Sequence, residues 1–153
     1  MATDVTLRER KFNTLLEKYR DLGEVFLLPC PGLMEWVEKG VLEGEELEKF
    51  LTNILKPYIN NVDAVVLGCT HYPIIRKNIE RIYPDLKIVN PSYEIIGRVR
   101  QILENDDALA GENNDRENIF YASDLSENFT NMIQKVLETE KSNLILKFKN
   151  LDL

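Results

Sequence analysis

Asp63-Ala64-Val65-Val66-Leu67 is an apolar run without polar alternation, closed by Gly68 and followed by a helix-like stretch over residues 74–83. An uninterrupted run of this length reads as a strand buried on both faces. That burial is the condition of a parallel sheet covered by helices. The pattern recurs along the chain. Residues 25–28, 86–89, 119–121 and 144–148 are further short apolar runs. Stretches with helical spacing lie between them, over residues 6–20, 33–39, 45–59, 92–103 and 128–137. This alternation predicts an α/β fold, a parallel sheet or sheets with flanking helices. In the stretch 45–59, Leu47, Phe50, Leu51, Ile54, Leu55 and Tyr58 share one face, and Pro57 is expected to kink or end the helix. Ser92 is placed to cap the next long helix. The chain opens on a helix-like stretch, and no strand is expected before it. A junction is expected near Asn90-Pro91, dividing residues 1–90 from 91–153, and the polar residues 105–118 read as a surface loop.

Composition narrows the partners. The 153 residues suffice for one ordinary domain, and 44% apolar with 29% charged residues is a globular balance. A net charge of −7 argues against a nucleic-acid surface or an anionic membrane surface, which need clustered cations. No apolar run approaches the roughly 20 residues of a membrane span. Residues 1–6 lack the basic and apolar regions of a secretory signal. A cytoplasmic protein is expected, with Cys30 and Cys69 as reduced thiols.

The chemistry concentrates at the end of the run 63–67. Gly68-Cys69-Thr70-His71-Tyr72-Pro73 places a thiol and the chain's single histidine at the carboxyl end of a strand, where open α/β sheets keep their sites. Gly68 suits a sharp turn there. A following helix start would favour a thiolate at Cys69. A lone cysteine is also a common core residue. A histidine side chain suits proton transfer, and His71 has that role or serves as a structural hydrogen-bonding group. Thr70 offers a hydroxyl to a ligand or a cap to the next helix. Tyr72 and Pro73 read as the start of that helix. Cys30, within Cys30-Pro31-Gly32, reads as structural, and Glu38 as a solvated carboxylate. Thr3 and Thr6 are candidate caps. Cys30, Cys69 and His71 supply three soft ligands without paired spacing, so no metal is expected. A thiol hydrolase or transferase built on Cys69 and His71 is a further reading, weakened because neighbours in sequence seldom form a nucleophile–base–orienter relay.

Several stretches resemble the glutamate racemases of the aspartate/glutamate racemase superfamily. Leu67-Gly68-Cys69-Thr70-His71-Tyr72-Pro73 is similar to that family's second catalytic-cysteine motif. Met1-Ala2-Thr3-Asp4-Val5-Thr6-Leu7, Cys30-Pro31 with Val37-Glu38-Lys39-Gly40, and Phe120-Tyr121-Ala122-Ser123-Asp124 with Phe129 resemble supporting segments in the same order. The near-terminal segment has Ala122 in place of a threonine and lacks one glycine. His71, where the aspartate racemases tend to carry glutamate, points to the glutamate branch.

The resemblance implies flavodoxin-like half-domains and a cofactor-independent inversion of glutamate by two opposed thiols, serving bacterial peptidoglycan. It makes Cys69 one acid/base and His71 its assistant. Thr70 and Glu38 become substrate-binding residues. The family's Asp-Ser-Gly-x-Gly-Gly turn and Cys-Asn-Thr-Ala motif, which carries the first catalytic cysteine, do not occur here. The resemblance therefore implies an incomplete fold, roughly the second half. Residues 1–90 would be part of the domain with the second cysteine, and 91–153 would pack on the other domain. Weak or no activity of this chain alone is expected, with exposed edges and apolar faces, and homodimerisation or strand swapping with a second copy.

Overall fold

The computed structural model describes residues 1–111, 118–123, 126–137 and 144–149. Residues 112–117 of the polar stretch 105–118, together with Asp124 and Leu125 of the expected helix start, lie outside the described residues. The chain divides into two compact units. The first comprises Met1–Val37 and Val41–Pro91, the second Glu38–Gly40 and Ser92–Leu153.

In the first unit the helices are α1 (Asp4–Arg8), α2 (Arg10–Lys18), α3 (Leu33–Glu38), α4 (Glu45–Leu55) and α5 (Arg76–Ile82). Strands β1 (Ala64–Val66) and β2 (Lys87–Val89) pair in parallel, with Val65 opposite Ile88. The Leu67 amide donates to the Val89 carbonyl at 3.0 Å and carries the ladder one residue further.

As expected, no strand precedes α1, but residues 1–3 are tied by main-chain bonds to distant chain. Residues 1–3 run extended beside β1. The Met1 ammonium donates to the Val66 carbonyl at 3.0 Å, and the Gly68 amide donates to the Met1 carbonyl at 2.8 Å. On its other side Ala2 forms a parallel bridge to Pro29, with Ala2 N donating to Leu28 O and Cys30 N donating to Ala2 O. Main-chain bonds thus run from residues 28–30 through residues 1–3 to the two-stranded β1–β2 sheet. Residues 25–28, expected as a strand, join it only through Leu28, and Val25, Phe26 and Leu27 are exposed. Burying the Met1 amine holds its pKa below the ordinary 8.0, because desolvation disfavours the charged form.

The single helix expected over residues 6–20 is two. Glu9 is extended (φ −64°, ψ 133°) and separates α1 from α2. The Asn13 side-chain amide donates to the carbonyls of Leu7 at 3.3 Å and Glu9 at 2.9 Å, bridging the break. Thr3 caps α1, its hydroxyl accepting from the Thr6 amide at 3.3 Å. Helix α4 stops at Leu55 rather than Ile59, since Pro57 lacks the donor that the next turn requires.

The core of this unit lies on one face of the sheet. Leu33 and Val37 of α3, Leu47, Leu51 and Leu55 of α4, and Ile75 and Ile79 meet Met1, Cys30, Val65 and Leu67 from the strands. The i, i+4, i+8 leucines of α4 form a continuous buried stripe. Asn78 of α5 is buried and donates to the Leu42 carbonyl at 2.8 Å, tying the loop after α3 to that helix. On the opposite face Val66 is 48% exposed, although it occupies a strand of a parallel sheet.

The second unit holds α6 (Ser92–Asn105), β3 (Asn118–Ala122), α7 (Glu127–Leu137) and β4 (Leu144–Phe148). Strands β3 and β4 pair in parallel, Phe120 opposite Leu146, with α7 as the crossover between them. No residue of α6 is buried. The exposed apolar faces expected from the resemblance are thus present in both units. Among the described residues, no helix is long and apolar enough to cross a membrane.

Candidate active site

Strand β1 delivers Leu67 into the core and Gly68 to the sheet's opposite face, and Cys69 follows at its carboxyl end. Gly68 is required for a different reason than the expected turn. Its φ is not positive. Instead, a Cβ at this position would lie 3.0 Å from the Met1 carbonyl oxygen and 3.3 Å from the Ala2 Cβ. Close approach of the neighbouring extended segment excludes a side chain.

Beyond Cys69 the chain turns at once. The Tyr72 amide donates to the Cys69 carbonyl at 3.2 Å, and Tyr72–Ile75 form a 3-10 turn with Pro73 in its first positions. The α-helix proper begins only at Arg76. Its dipole therefore acts on Cys69 from further away than a helix starting beside the thiol would. Tyr72 anchors the turn. Its ring is fully buried, and its hydroxyl donates to the Cys30 carbonyl at 3.5 Å. Burial pushes the Tyr72 phenol above its ordinary range, and the neighbouring Cys30 adds to the shift.

This turn folds the three polar side chains onto one another. Cys69 Sγ lies 3.7 Å from His71 Nδ1, and Thr70 Oγ1 lies 3.4 Å from the same nitrogen. Thr70 gives its hydroxyl to this cluster rather than capping a helix; the residue preceding α5, Ile75, makes no side-chain cap. Cys69 and His71 are half-buried and Thr70 is exposed, so the cluster opens to solvent. With Nδ1 protonated, His71 donates to a thiolate; with Nδ1 bare, it accepts from the thiol or the threonine hydroxyl. The arrangement can hold a proton between sulfur and nitrogen or release it to a bound molecule.

Cys30 and Cys69 are both free thiols. Cys30 is only 3% exposed and donates to the Leu28 carbonyl at 3.5 Å. Burial pushes its thiol up to about 11, in keeping with a structural residue. Glu38 is the last residue of α3, exposed, and grouped with the second unit. The structure thus brings Cys69, Thr70 and His71 together, while Glu38 stands on a separate element. Sequence reasoning missed the support that residues 1–3 and Tyr72 give to the motif. The signal was present in the glycine before the cysteine, since a glycine at a strand end also marks close backbone approach. Among the described residues no group of three or more His, Cys, Asp or Glu side chains is placed to hold a metal ion.

The chain is 43% identical over 110 residues to the glutamate racemase of Clostridium acetobutylicum, a match covering 71% of this chain and 43% of that protein. It is 38% identical over 149 residues to the glutamate racemase of Clostridium perfringens strain SM101, covering 96% of this chain and 55% of the relative. No family model matches the sequence. Among solved structures, the glutamate racemase of Francisella tularensis in complex with D-glutamate superposes with a TM-score of 0.76 at 28% identity, over 92% of this chain and 53% of that one. A glutamate racemase isoform from Bacillus anthracis gives a TM-score of 0.80 at 21% identity, covering 99% of this chain and 56% of that one, a likeness of fold. The chain spans about half the length of the curated relatives it matches.

Proposed function

We propose that this chain, related to the glutamate racemases in sequence and in fold, contributes one of the two proton-transfer groups of a cofactor-independent glutamate racemase. The observation that carries the reading is the Cys69–His71 contact of 3.7 Å at the carboxyl end of β1, in a fold shared with a racemase solved with D-glutamate bound. Cys69 as thiolate removes the α-proton of one glutamate enantiomer. A second thiol on the opposite face gives a proton to the planar carbanion, and the other enantiomer leaves. In the reverse direction Cys69 starts as the thiol and donates. A thiol can act as base when ionised and as acid when protonated, as a reversible acid/base requires.

His71 holds the Cys69 proton in the interval between transfers or contacts the substrate ammonium. Thr70 binds the substrate carboxylate, and Glu38 shapes the site. Cys30 does not serve as the second base: its thiol is buried in the core and pushed up to about 11. The opposed thiol therefore comes from the part of the fold that this chain does not span. The product D-glutamate is proposed to feed bacterial peptidoglycan in the cytoplasm, with residues 1–90 and 91–153 belonging to different domains of the assembled enzyme.

Racemisation followed by circular dichroism of L-glutamate tests the reading on an assembly that contains this chain. Loss of turnover on Cys69→Ser supports it, and turnover indifferent to that change sinks it. A second reading, a non-catalytic module that holds glutamate at a half-site, draws on the same half-length span. Calorimetric titration of this chain with D- and L-glutamate separates the two, because binding without turnover in any assembly favours the module.

A further inference from the structure

Among the described residues Asn78, on α5, is the only buried polar side chain, 3% exposed. Ile75 and Ile79, which share its burial, are apolar and fully enclosed. The Asn78 amide nitrogen donates twice, to the Leu42 carbonyl at 2.8 Å and to the Ile75 carbonyl at 3.4 Å. Its Oδ1 is buried as well and meets no donor among the described residues. An amide that buries an unpaired acceptor is a costly way to fill a core position. What it adds over an apolar side chain is direction. Apolar contacts are non-directional and do not fix how a helix lies on its neighbours, whereas a hydrogen bond does.

Those bonds fall where the proposed reacting pair is held. Before Cys69 the chain is fixed by the Leu67 amide on the Val89 carbonyl. After Cys69 it closes on itself, Tyr72 N donating to Cys69 O and Ile74 N to His71 O, both at 3.2 Å. This 3-10 turn ends at Ile75, so the carbonyl that Asn78 reaches is the junction between the turn and α5. The bond to Leu42 ties that junction to the loop between α3 and α4. The loop is itself closed on α3 by Val41 N donating to Trp36 O at 3.0 Å. An ion pair from Arg81 to Glu48 also links α5 to α4, but it is exposed, and surface pairs hold geometry weakly. We infer that Asn78 is a positioning residue for Cys69 and His71. By docking the end of the turn on the α3–α4 loop, it keeps thiol and imidazole at their 3.7 Å contact. Reacting groups tolerate displacements of only about 0.5 Å.

This role rests on the proposed reaction, in which Cys69 and His71 are the reacting pair, but it is read on the full chain alone. His71 is the only histidine, so isotope-labelled histidine gives a single imidazole spectrum by NMR. Cys69→Ala supplies the reference position for a broken contact. In Asn78→Leu the His71 ring signals are expected to move most of the way to that reference. Asn78→Ser, whose side chain is too short to reach Leu42, is expected to do the same. Leu51→Ala loosens the same core from α4 without touching these bonds, and is expected to leave the signals at the parent position. Far-ultraviolet circular dichroism checks that each variant is folded. Signals at the parent position in both Asn78 variants overturn the inference. So does an equal displacement in Leu51→Ala, or unfolding of both Asn78 variants, since either assigns Asn78 to stability alone. Turnover indifferent to Cys69 would sink the proposed reaction and leave the His71 displacement standing, so the two fail separately.

Discussion

Replacing Gly68 by alanine tests how the motif is held. The new Cβ would stand 3.0 Å from the Met1 carbonyl oxygen, a backbone atom that accepts the Gly68 amide at 2.8 Å, and 3.3 Å from the Ala2 Cβ. No flexible side-chain end is available to yield. The strand and residues 1–3 must part by a few tenths of an ångström, which also stretches the Met1 ammonium bond to Val66. Overpacking costs about 1–3 kcal/mol. Weakening one or two main-chain hydrogen bonds adds about 0.5–1.5 kcal/mol each at most. A loss of about 2–4 kcal/mol is expected, a fall of about 4–16 °C in Tm for a chain of this size. Urea titration followed by Trp36 fluorescence and by circular dichroism measures it. Gly97→Ala is the control of opposite sign. Gly97 lies in α6, and a methyl group added there would meet nothing within 4 Å. Alanine at that position should stabilise by about 0.5–1 kcal/mol. Equal midpoints for the parent and Gly68→Ala would refute the close-approach argument.

Leu51→Ala, at the centre of the fully buried α4 stripe, should cost about 2–5 kcal/mol, read as a lower urea midpoint at unchanged slope. Cys30 gives a pH signature. Its folded thiol titrates at about 11 against an ordinary 9.0, so its contribution is fully present below pH 9.0. That contribution is lost as pH rises toward about 11, where the unfolded chain ionises first. Cys30→Ala should flatten this alkaline decline in the urea midpoint; an unchanged slope would assign it to other groups. Iodoacetamide followed by mass spectrometry should label half-buried Cys69 well before Cys30, and the reverse order would contradict the assigned burial.

Periodicity made much of the fold legible. The face shared by Leu47, Leu51 and Leu55 and the run through Val65 and Leu67 are long enough for burial to leave a repeat in the sequence. Residues 1–3 escaped because three residues carry no period, and their pairing with Val66, Gly68, Leu28 and Cys30 depends wholly on distant chain. The break at Glu9 escaped because the helical spacing continues through it, and the Asn13 side chain that bridges it carries no mark of that role in the spacing. Residues 25–28 read as a strand from their apolar character, but a ladder needs a partner, and only Leu28 meets one. At the site, Cys69, Thr70 and His71 were legible since adjacency fixes their separation within one turn. Glu38 is placed by resemblance alone, because spacing within a helix does not say what its end will face.

Deuterium entry at the α-carbon of glutamate is the most direct measurement of the central claim, that Cys69 moves that proton. The reaction is run in heavy water, with D- and with L-glutamate, on an assembly that contains this chain, and followed by proton NMR. Loss of the α-proton signal from both enantiomers is expected with the parent chain, and its retention in one of the two enantiomers with Cys69→Ser, while Cys30→Ala leaves exchange intact. Exchange of both enantiomers that survives Cys69→Ser would contradict the claim.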